Sequence, residues 1–168
     1  DETNPISVYG QSKLDGEEKI KTVFDNYLIL RTSWLYSEYG HNFMRSIVAK
    51  AKENATIEVV DDQIGSPTYA RDLANCIIDI IIKSILNPKA YLPGVYHYTN
   101  QGSCSWYEFA QEIVNFAGIT TCKVLPVKSD KYPTKAKRPQ YSVLDTSKIR
   151  SSFSDGMSRA SLPLTIHP

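Results

Sequence analysis

Residues 7–34 read SVYGQSKLDGEEKIKTVFDNYLILRTSW, and this stretch predicts a helix followed by a buried strand. From about Ser7 to Phe24, the side chains on one helical face form a stripe that is apolar in its last turns. The next apolar run, Tyr27 to Leu30, shows no alternation, which is typical of a parallel strand buried on both faces. Polar residues and a tryptophan follow it at 31–34, where open α/β sheets bind their ligands. The stretch therefore predicts an α/β fold with a site at the end of this strand.

Tyr9 and Lys13 are four residues apart at the start of the helical stripe, so their side chains are neighbours on one face. We expect this face to be buried, which would place a phenol and an ammonium side by side inside the fold. A phenol exchanges protons poorly at neutral pH, but a nearby ammonium favours its phenolate form and suits it to general acid catalysis. On spacing alone, a tyrosine at a helix start beside a lysine that reaches solvent is the more frequent arrangement.

The rest of the chain alternates helices and strands without internal repeats, which is an α/β pattern. The best-marked helix begins after Ser105, where Glu108 predicts a capping box, and it ends at Gly118. Other patterns predict helices at about 42–53, 69–86 and 147–153, strands at 56–60, 95–99 and 123–127, and loops at 61–67 and 128–139.

Composition limits the partners that the chain can have. Its 168 residues are 42% hydrophobic and carry a net charge of +1, which favours neither nucleic acid nor a membrane surface. The longest apolar run, 77–82, is interrupted by Asp79 and is far too short to span a bilayer. Three cysteines without metal-binding spacing indicate the reduced thiols of a cytoplasmic protein.

Several positions outside the Tyr-Lys pair could serve either structure or binding. Arg138 lies in a basic, proline-rich loop, where a guanidinium could hold a diphosphate or simply face solvent. Asn42 precedes a helix and could be its N-cap or a contact to a substrate. Asp61 and Asp62 could suggest a divalent metal, but two carboxylates without further ligands more often form a turn or a cap.

Taken together, several motifs resemble the dTDP-4-dehydrorhamnose reductase family of extended short-chain dehydrogenases. The motifs are VYGQSK (8–13), LRTSWLY (30–36), VDDQIGSPT (60–68), DLA (72–74), SWYEFA (105–110), RP (138–139) and SVLDTSK (142–148). A Tyr-x-x-x-Lys signature alone is weak, but this ordered set is specific, and it covers the chain from about residue 5 to residue 153.

The resemblance implies reduction of the C4 ketone of dTDP-4-dehydro-L-rhamnose to dTDP-L-rhamnose with NADPH or NADH. Tyr9 would donate the proton to the ketone oxygen. Lys13 would hold the ribose hydroxyls of the nicotinamide and stabilise the phenolate. Thr32 and Ser33 would contact the nicotinamide amide, or they are ordinary hydroxyls at a strand end. A magnesium ion is conceivable, but the sequence does not support one.

The predicted substrate contacts are Trp34, Asn42 and Arg138, of which the resemblance implies Trp34 and Arg138. Trp34 would lie against the sugar and nucleotide, and Arg138 would bind the diphosphate of the dTDP-sugar. The alternatives are a core tryptophan, a plain N-cap and a solvated basic loop.

Neither a nucleic acid nor a membrane is expected as a partner. We expect instead a homodimer or self-association of the chain.

The implied fold is the C-terminal part of a Rossmann-like fold with its small α/β substrate domain. Residues 1–36 would be the last helix and strand of the nucleotide-binding domain. Residues 37–153 would be mainly the substrate domain, with about 69–100 returning to the nucleotide-binding domain, and 154–168 would be an atypical tail. No glycine-rich Gly-x-Gly-x-x-Gly turn occurs in the chain, so we expect the pyrophosphate site to lie outside it and this polypeptide alone to be inactive.

Two alternatives to a reductase remain open at this point. One is a non-catalytic regulatory homologue that keeps the fold and binds a nucleotide. The other is a different extended short-chain enzyme that acts on nucleotide sugars, such as an epimerase or a dehydratase. Retention of both Tyr9 and Lys13 argues against the first, and the motifs at 31–36 and 61–68 argue against the second.

Overall fold

The computed structural model describes residues 2–90, 92–131 and 138–153. The predicted tail, 154–168, and residues 132–137 of the predicted basic loop lie outside the described residues. The helices are α1 (Val8–Val23), α2 (Phe43–Glu53), α3 (Ala70–Leu86), α4 (Trp106–Phe116) and α5 (Ser147–Phe153). The strands are β1 (Leu28–Arg31), β2 (Leu35–Tyr36), β3 (Thr56–Val60), β4 (Ile64–Gly65), β5 (Thr68–Tyr69), β6 (Gly94–His97), β7 (Cys104–Ser105) and β8 (Lys123–Val127).

The described strands pair two by two, mostly in parallel. β1 runs parallel to β6, with Leu28 opposite Gly94 and Arg31 opposite His97. β3 pairs with β8 and β2 with β5, also in parallel, whereas the short strands β4 and β7 are antiparallel. Parallel pairing between strands that are separated by helices confirms the predicted α/β class.

Within this chain β1 is partly open to solvent and is not buried on both faces, as its apolar run alone would predict. All four of its residues are only partly buried. Among the described strands β1 pairs with β6, and the smaller of two hydrophobic cores covers Leu28 and Leu30. Because this core is small, the strand keeps part of its surface open to solvent.

The buried apolar side chains of the described residues form two separate hydrophobic cores. The larger core lies between α2, α4, β3 and β8, and Phe109 and Ile113 at its centre are almost completely buried. The smaller core joins β1 and β6 to α3 and α5 through Cys76, Tyr96 and Ile149. Leu30 of β1 packs against the smaller core and Trp34 against the larger one, so residues 31–34 connect the two cores.

The predicted capping box at the start of α4 is confirmed. The Ser105 hydroxyl accepts a hydrogen bond from the Glu108 amide at 3.1 Å, and the Glu108 carboxylate accepts one from the Ser105 amide at 2.7 Å. The same hydroxyl donates to Asp61 Oδ1 at 2.7 Å, although the two residues are 44 positions apart. After the helix, Gly118 has a φ of +64°, the left-handed conformation that its predicted place beyond the helix end requires.

Replacing Ser105 with alanine should lower the free energy of unfolding by about 1–3 kcal/mol. The change removes the helix cap and also leaves the Asp61 carboxylate without its hydroxyl partner. Urea denaturation followed by circular dichroism measures the effect. The exposed Ser103→Ala variant is the control and should change the value by about 0.5 kcal/mol at most. Equal stability of the two variants would show that the buried cap does not stabilise α4.

The predicted helix α1 is confirmed, but the prediction that its Tyr9–Lys13 stripe is buried is wrong. No residue of α1 is buried, and Tyr9 is 70% exposed. The side of the helix that is partly covered carries Gly10, Leu14, Glu17 and Lys21, about one residue later in the helical turn than the predicted stripe. Glu17 pairs with Arg31 at the end of β1, and this contact turns the Tyr9 side away from the described residues.

Candidate active site

Tyr9 and Lys13 are neighbours on α1, as their spacing predicts. The Lys13 Nζ atom lies 5.2 Å from the centre of the Tyr9 ring. Ser7 begins the helix by accepting a hydrogen bond from the Gly10 amide at 3.1 Å. Both side chains of the pair are exposed, so the phenol and the ammonium are open to a ligand.

An ion pair that the sequence analysis missed joins this helix to β1. Arg31 Nε donates to Glu17 Oε1 at 2.7 Å, and Arg31 Nη2 donates to Glu17 Oε2 at 2.6 Å. The hydrogen bond from Arg31 is the main reason that the pKa of Glu17 lies below its ordinary value. Burial and the same guanidinium lower the pKa of His97, which is opposite Arg31 on β6. The ion pair connects the helix that carries Tyr9 to the strand that leads to Thr32.

Replacing Glu17 with glutamine should lower the free energy of unfolding at pH 7 by about 0.5–1 kcal/mol, since the pair is partly exposed. The folded protein lowers the pKa of Glu17, so this stability is present above the ordinary value of 4.5 and is lost as the pH falls below it. Denaturation at several pH values measures the difference between the variants. Glu18→Gln, which breaks the exposed pair with Lys21, should have a smaller effect. A Glu17→Gln difference that persists unchanged at acid pH would contradict the ion-pair explanation.

The polar residues after β1 differ in how their hydroxyl groups are used. The Ser33 hydroxyl donates to the Ser66 carbonyl oxygen at 3.0 Å and therefore fixes the loop. The Thr32 Oγ1 atom is buried and has no hydrogen-bond partner among the described residues. The Ser33 hydroxyl is thus already engaged, whereas the buried Thr32 hydroxyl carries the cost of a polar group that lacks a hydrogen bond within the described residues.

Trp34 follows directly and lies against the larger core. Its ring stacks on that of Trp106, with ring centres 3.5 Å apart and planes that differ by 10°. The Trp34 carbonyl oxygen accepts a hydrogen bond from the Thr68 amide at 3.1 Å. Trp34 is partly buried, so the structure gives it a core contact and also an open surface.

Asn42 serves as the N-cap of α2, one of the two roles considered from sequence. Its side-chain oxygen accepts from the Arg45 amide at 3.2 Å. Its amide nitrogen donates to the carbonyl oxygens of Ser37 and Tyr39 at 2.7 and 3.0 Å. These contacts use both hydrogens of the side-chain amide and one acceptor position of its oxygen, and the contact to a substrate stays a prediction.

Asp61 and Asp62 also have structural partners, which agrees with their interpretation as caps. Asp61 accepts from the Ser105 hydroxyl, and Asp62 accepts from both the amide and the hydroxyl of Ser129 at 3.0–3.1 Å. Within residues 2–90, 92–131 and 138–153, no three His, Cys, Asp or Glu side chains are grouped as metal ligands.

Arg138 is exposed at the end of the loop, open to solvent or to an anion.

The cysteines have the properties of structural thiols. Cys76, Cys104 and Cys122 are free and buried. Burial raises the pKa of Cys76 and of Cys104 to about 12, which keeps both thiols protonated at neutral pH. In the part of the chain that the structure describes, no helix is long and apolar enough to cross a membrane.

Comparison with known proteins places these motifs in one family. Residues 1–163 match the RmlD substrate binding domain family. The chain is 42% identical over 144 residues to the spore coat polysaccharide biosynthesis protein SpsK of Bacillus subtilis, covering 86% of this chain and 48% of that protein. It is 41% identical over 157 residues to the dTDP-4-dehydrorhamnose reductase of Aggregatibacter actinomycetemcomitans, covering 89% of this chain and 52% of the relative. The chain thus spans about half the length of the curated relatives that it matches.

Solved structures agree with the sequence comparison. The dTDP-4-dehydrorhamnose reductase of Bacillus anthracis in complex with NADP superimposes with a TM-score of 0.82 at 42% identity, over 90% of this chain and 51% of that one. A UDP-galactose 4-epimerase, at 20% identity and a TM-score of 0.66, shares the fold alone. The family that the motifs resemble is therefore confirmed, and the chain belongs to the RmlD substrate binding domain family.

Proposed function

We propose that this chain contributes the proton donor and most of the substrate site of a dTDP-4-dehydrorhamnose reductase. The reaction is the reduction of the C4 ketone of dTDP-4-dehydro-L-rhamnose to dTDP-L-rhamnose with NADPH or NADH. The observation that carries the proposal is the adjacent Tyr9–Lys13 pair, 5.2 Å from ammonium to ring centre. The pair occurs in a chain about 40% identical to proteins of that name.

Tyr9 and Lys13 are proposed to move and stabilise the proton. Tyr9 donates its phenol proton to the ketone oxygen as the C4–O double bond becomes a single bond. The Lys13 ammonium stabilises the phenolate that remains. When bound, the nicotinamide supplies the hydride for C4. The exposure of Tyr9 supports this role, because the phenol is open to a substrate oxygen.

The residues after β1 are proposed to hold the cofactor and the sugar. The Thr32 hydroxyl, buried and without a partner among the described residues, is proposed to bind the nicotinamide amide, which offers both hydrogen-bond donors and an acceptor. The Ser33 hydroxyl would also bind the nicotinamide amide if its hydrogen bond to the Ser66 carbonyl oxygen were broken. Trp34 offers a flat apolar surface to the sugar and nucleotide. Arg138 is proposed to bind the diphosphate, and Asn42 to lie at the edge of the substrate site.

The two hydrophobic cores support the proposed domain division. The smaller core joins β1, α3, β6 and α5, as expected if residues 1–36 and about 69–100 belong to the nucleotide-binding domain. It also includes Ile149 and Phe153, which the sequence analysis assigned to the substrate domain. The larger core holds elements between residues 37 and 153, the proposed substrate domain, and also includes Tyr36 and Tyr69 from the segments assigned to the nucleotide-binding domain.

Exposed apolar side chains support the proposed self-association. On α3, Ile78, Ile81 and Ile82 are each about half exposed, and Ile85 is 71% exposed. Apolar surface of this extent favours contact with another copy or with a further polypeptide segment. The buried free thiols support the proposed cytoplasmic location, where cysteines stay reduced.

A turnover assay of the full-length enzyme tests the proposed function. By full-length enzyme we mean this chain together with the segment that makes up the remaining length of its relatives. A reductase consumes NADPH and forms dTDP-L-rhamnose in equal amounts, which chromatography of both products measures. A sugar epimerase or dehydratase would convert its substrate without net consumption of NADPH. A non-catalytic homologue would bind the nucleotide and form no product.

A further inference from the structure

The backbone of Trp34 is held in an unfavourable conformation. Its φ is +49°, and it is the non-glycine residue with a positive φ in the described part of the chain. The left-handed region is uncommon for a bulky residue and is maintained only where the surroundings enforce it. The Thr68 amide donates to the Trp34 carbonyl oxygen, and the Ser33 side-chain hydroxyl donates to the Ser66 carbonyl oxygen, so one backbone and one side-chain hydrogen bond fix this turn.

The indole of Trp34 is fixed by Trp106. The two rings are nearly parallel, with centres 3.5 Å apart. Trp106 is itself held by Phe43, whose ring centre lies 4.5 Å away, and by its place at the start of α4 directly after the capping residue Ser105. The stack therefore connects Trp34 to a well-ordered helix start in the larger core.

Gly65 makes the room that the Trp34 indole occupies. A Cβ atom at Gly65 would lie 2.4 Å from Trp34 Cε2 and 2.6 Å from both Cζ2 and Nε1. Gly65 lies in β4, opposite Cys104 of β7, and its φ is not in the left-handed region. Its lack of a side chain is therefore required by the indole and not by its own backbone.

We propose that Trp106 and Gly65 are positioning residues that hold the Trp34 indole as a fixed wall of the sugar-binding site. The inference rests on the proposed function and names two residues that act through Trp34. Trp106 covers one face of the indole and Gly65 packs against its Cε2 and Nε1 atoms, so the part of the partly buried ring that stays accessible is what faces the sugar. A surface that is already ordered binds a sugar ring without losing side-chain entropy. If the Trp34 side chain could rotate freely, each binding event would have to restrict it to one rotamer, and the affinity for the sugar would fall.

Two variants loosen the wall from different sides. Gly65→Ala places a methyl group where the indole lies, and Trp106→Leu removes the stacking ring but keeps an apolar side chain. In the full-length enzyme each should raise the KM for the dTDP-sugar about three- to tenfold, the range for losing an aromatic pair. The kcat should change by about twofold at most, and the KM for NADPH should stay the same. Trp106→Phe, which keeps an aromatic ring, should recover most of the affinity.

A spectroscopic measurement tests the stack without any substrate. The chain has two tryptophans, so an exciton couplet between stacked indoles in far-ultraviolet circular dichroism reports this pair alone. Gly65→Ala should reduce the couplet. Gly16→Ala is the spectroscopic control, because a Cβ at Gly16 meets nothing within 4 Å, and it should leave the couplet unchanged.

The outcomes separate this inference from the proposed function. A KM for the dTDP-sugar that stays at the parent value in Gly65→Ala and Trp106→Leu, while the parent turns over, would overturn the positioning role alone. An equal loss of kcat in both variants with unchanged KM values would also overturn it, because a smaller fraction of correctly folded enzyme lowers kcat and leaves KM unchanged. If Gly65→Ala does not fold, the comparison of Trp106→Leu with Trp106→Phe decides. A parent enzyme without turnover would instead refute the proposed function.

Discussion

Replacing Tyr9 with phenylalanine in the full-length enzyme should lower kcat by roughly two to four orders of magnitude, the range for losing a positioned general acid. The phenylalanine keeps the ring beside Lys13 but has no proton to give to the ketone oxygen. Because Tyr9 is 70% exposed and α1 buries none of its side chains, the change should leave the fold intact. Binding of the dTDP-sugar should change little.

Steady-state kinetics and calorimetric titration of the dTDP-sugar measure the two effects separately. Tyr27→Phe is the matched control, since Tyr27 precedes β1 at the end of the strand opposite to the proposed site. Its kcat should equal that of the parent. Near-normal turnover of Tyr9→Phe would show that another group donates the proton.

Replacing Arg138 with alanine should weaken binding of the dTDP-sugar about ten- to a hundredfold. A charge-assisted hydrogen bond contributes about 1.5–3 kcal/mol, and the guanidinium is proposed to contact the substrate diphosphate. Arg138 is exposed, so its loss should not affect folding. The affinity for NADPH should stay almost unchanged, because the loop that carries Arg138 is proposed to contact the substrate diphosphate and not the cofactor.

Titrations of the dTDP-sugar and of NADPH into the same preparation measure this difference. Arg150→Ala, an exposed arginine on α5, should affect neither ligand. An equal loss of affinity for both ligands in Arg138→Ala would show that its role is not specific to the substrate. Unchanged affinity for both would favour the solvated basic loop considered from sequence.

Local signals accounted for most of the fold. The helices, the longer strands and the capping box at Ser105 were predictable because each depends on neighbouring residues. The two-residue strands β4, inside the predicted loop 61–67, and β5, directly after it, were not predictable. Each is defined by pairing with a distant segment, as Gly65 is with Cys104. The burial of α1 was misjudged for the same reason, since a contact between Glu17 and Arg31 decides which side faces the protein.

The candidate site shows the same division between local and long-range information. The adjacency of Tyr9 and Lys13 follows from helical spacing alone, and the structure confirms it. The stack of Trp34 on Trp106 joins residues 72 positions apart, so local sequence patterns could not predict it. Sequence could not decide between a cap and a substrate contact for Asn42, because an N-cap and a binding site use the same side-chain amide.

The transfer of deuterium from labelled NADPH tests the proposed reduction most directly. The full-length enzyme is incubated with dTDP-4-dehydro-L-rhamnose and with NADPH in which deuterium replaces both hydrogens at the reactive nicotinamide carbon. The sugar product is examined by mass spectrometry and NMR. The proposal predicts dTDP-L-rhamnose with deuterium at C4 in proportion to the NADPH consumed. A product without deuterium at C4, or no consumption of NADPH while the parent protein is folded, would contradict it.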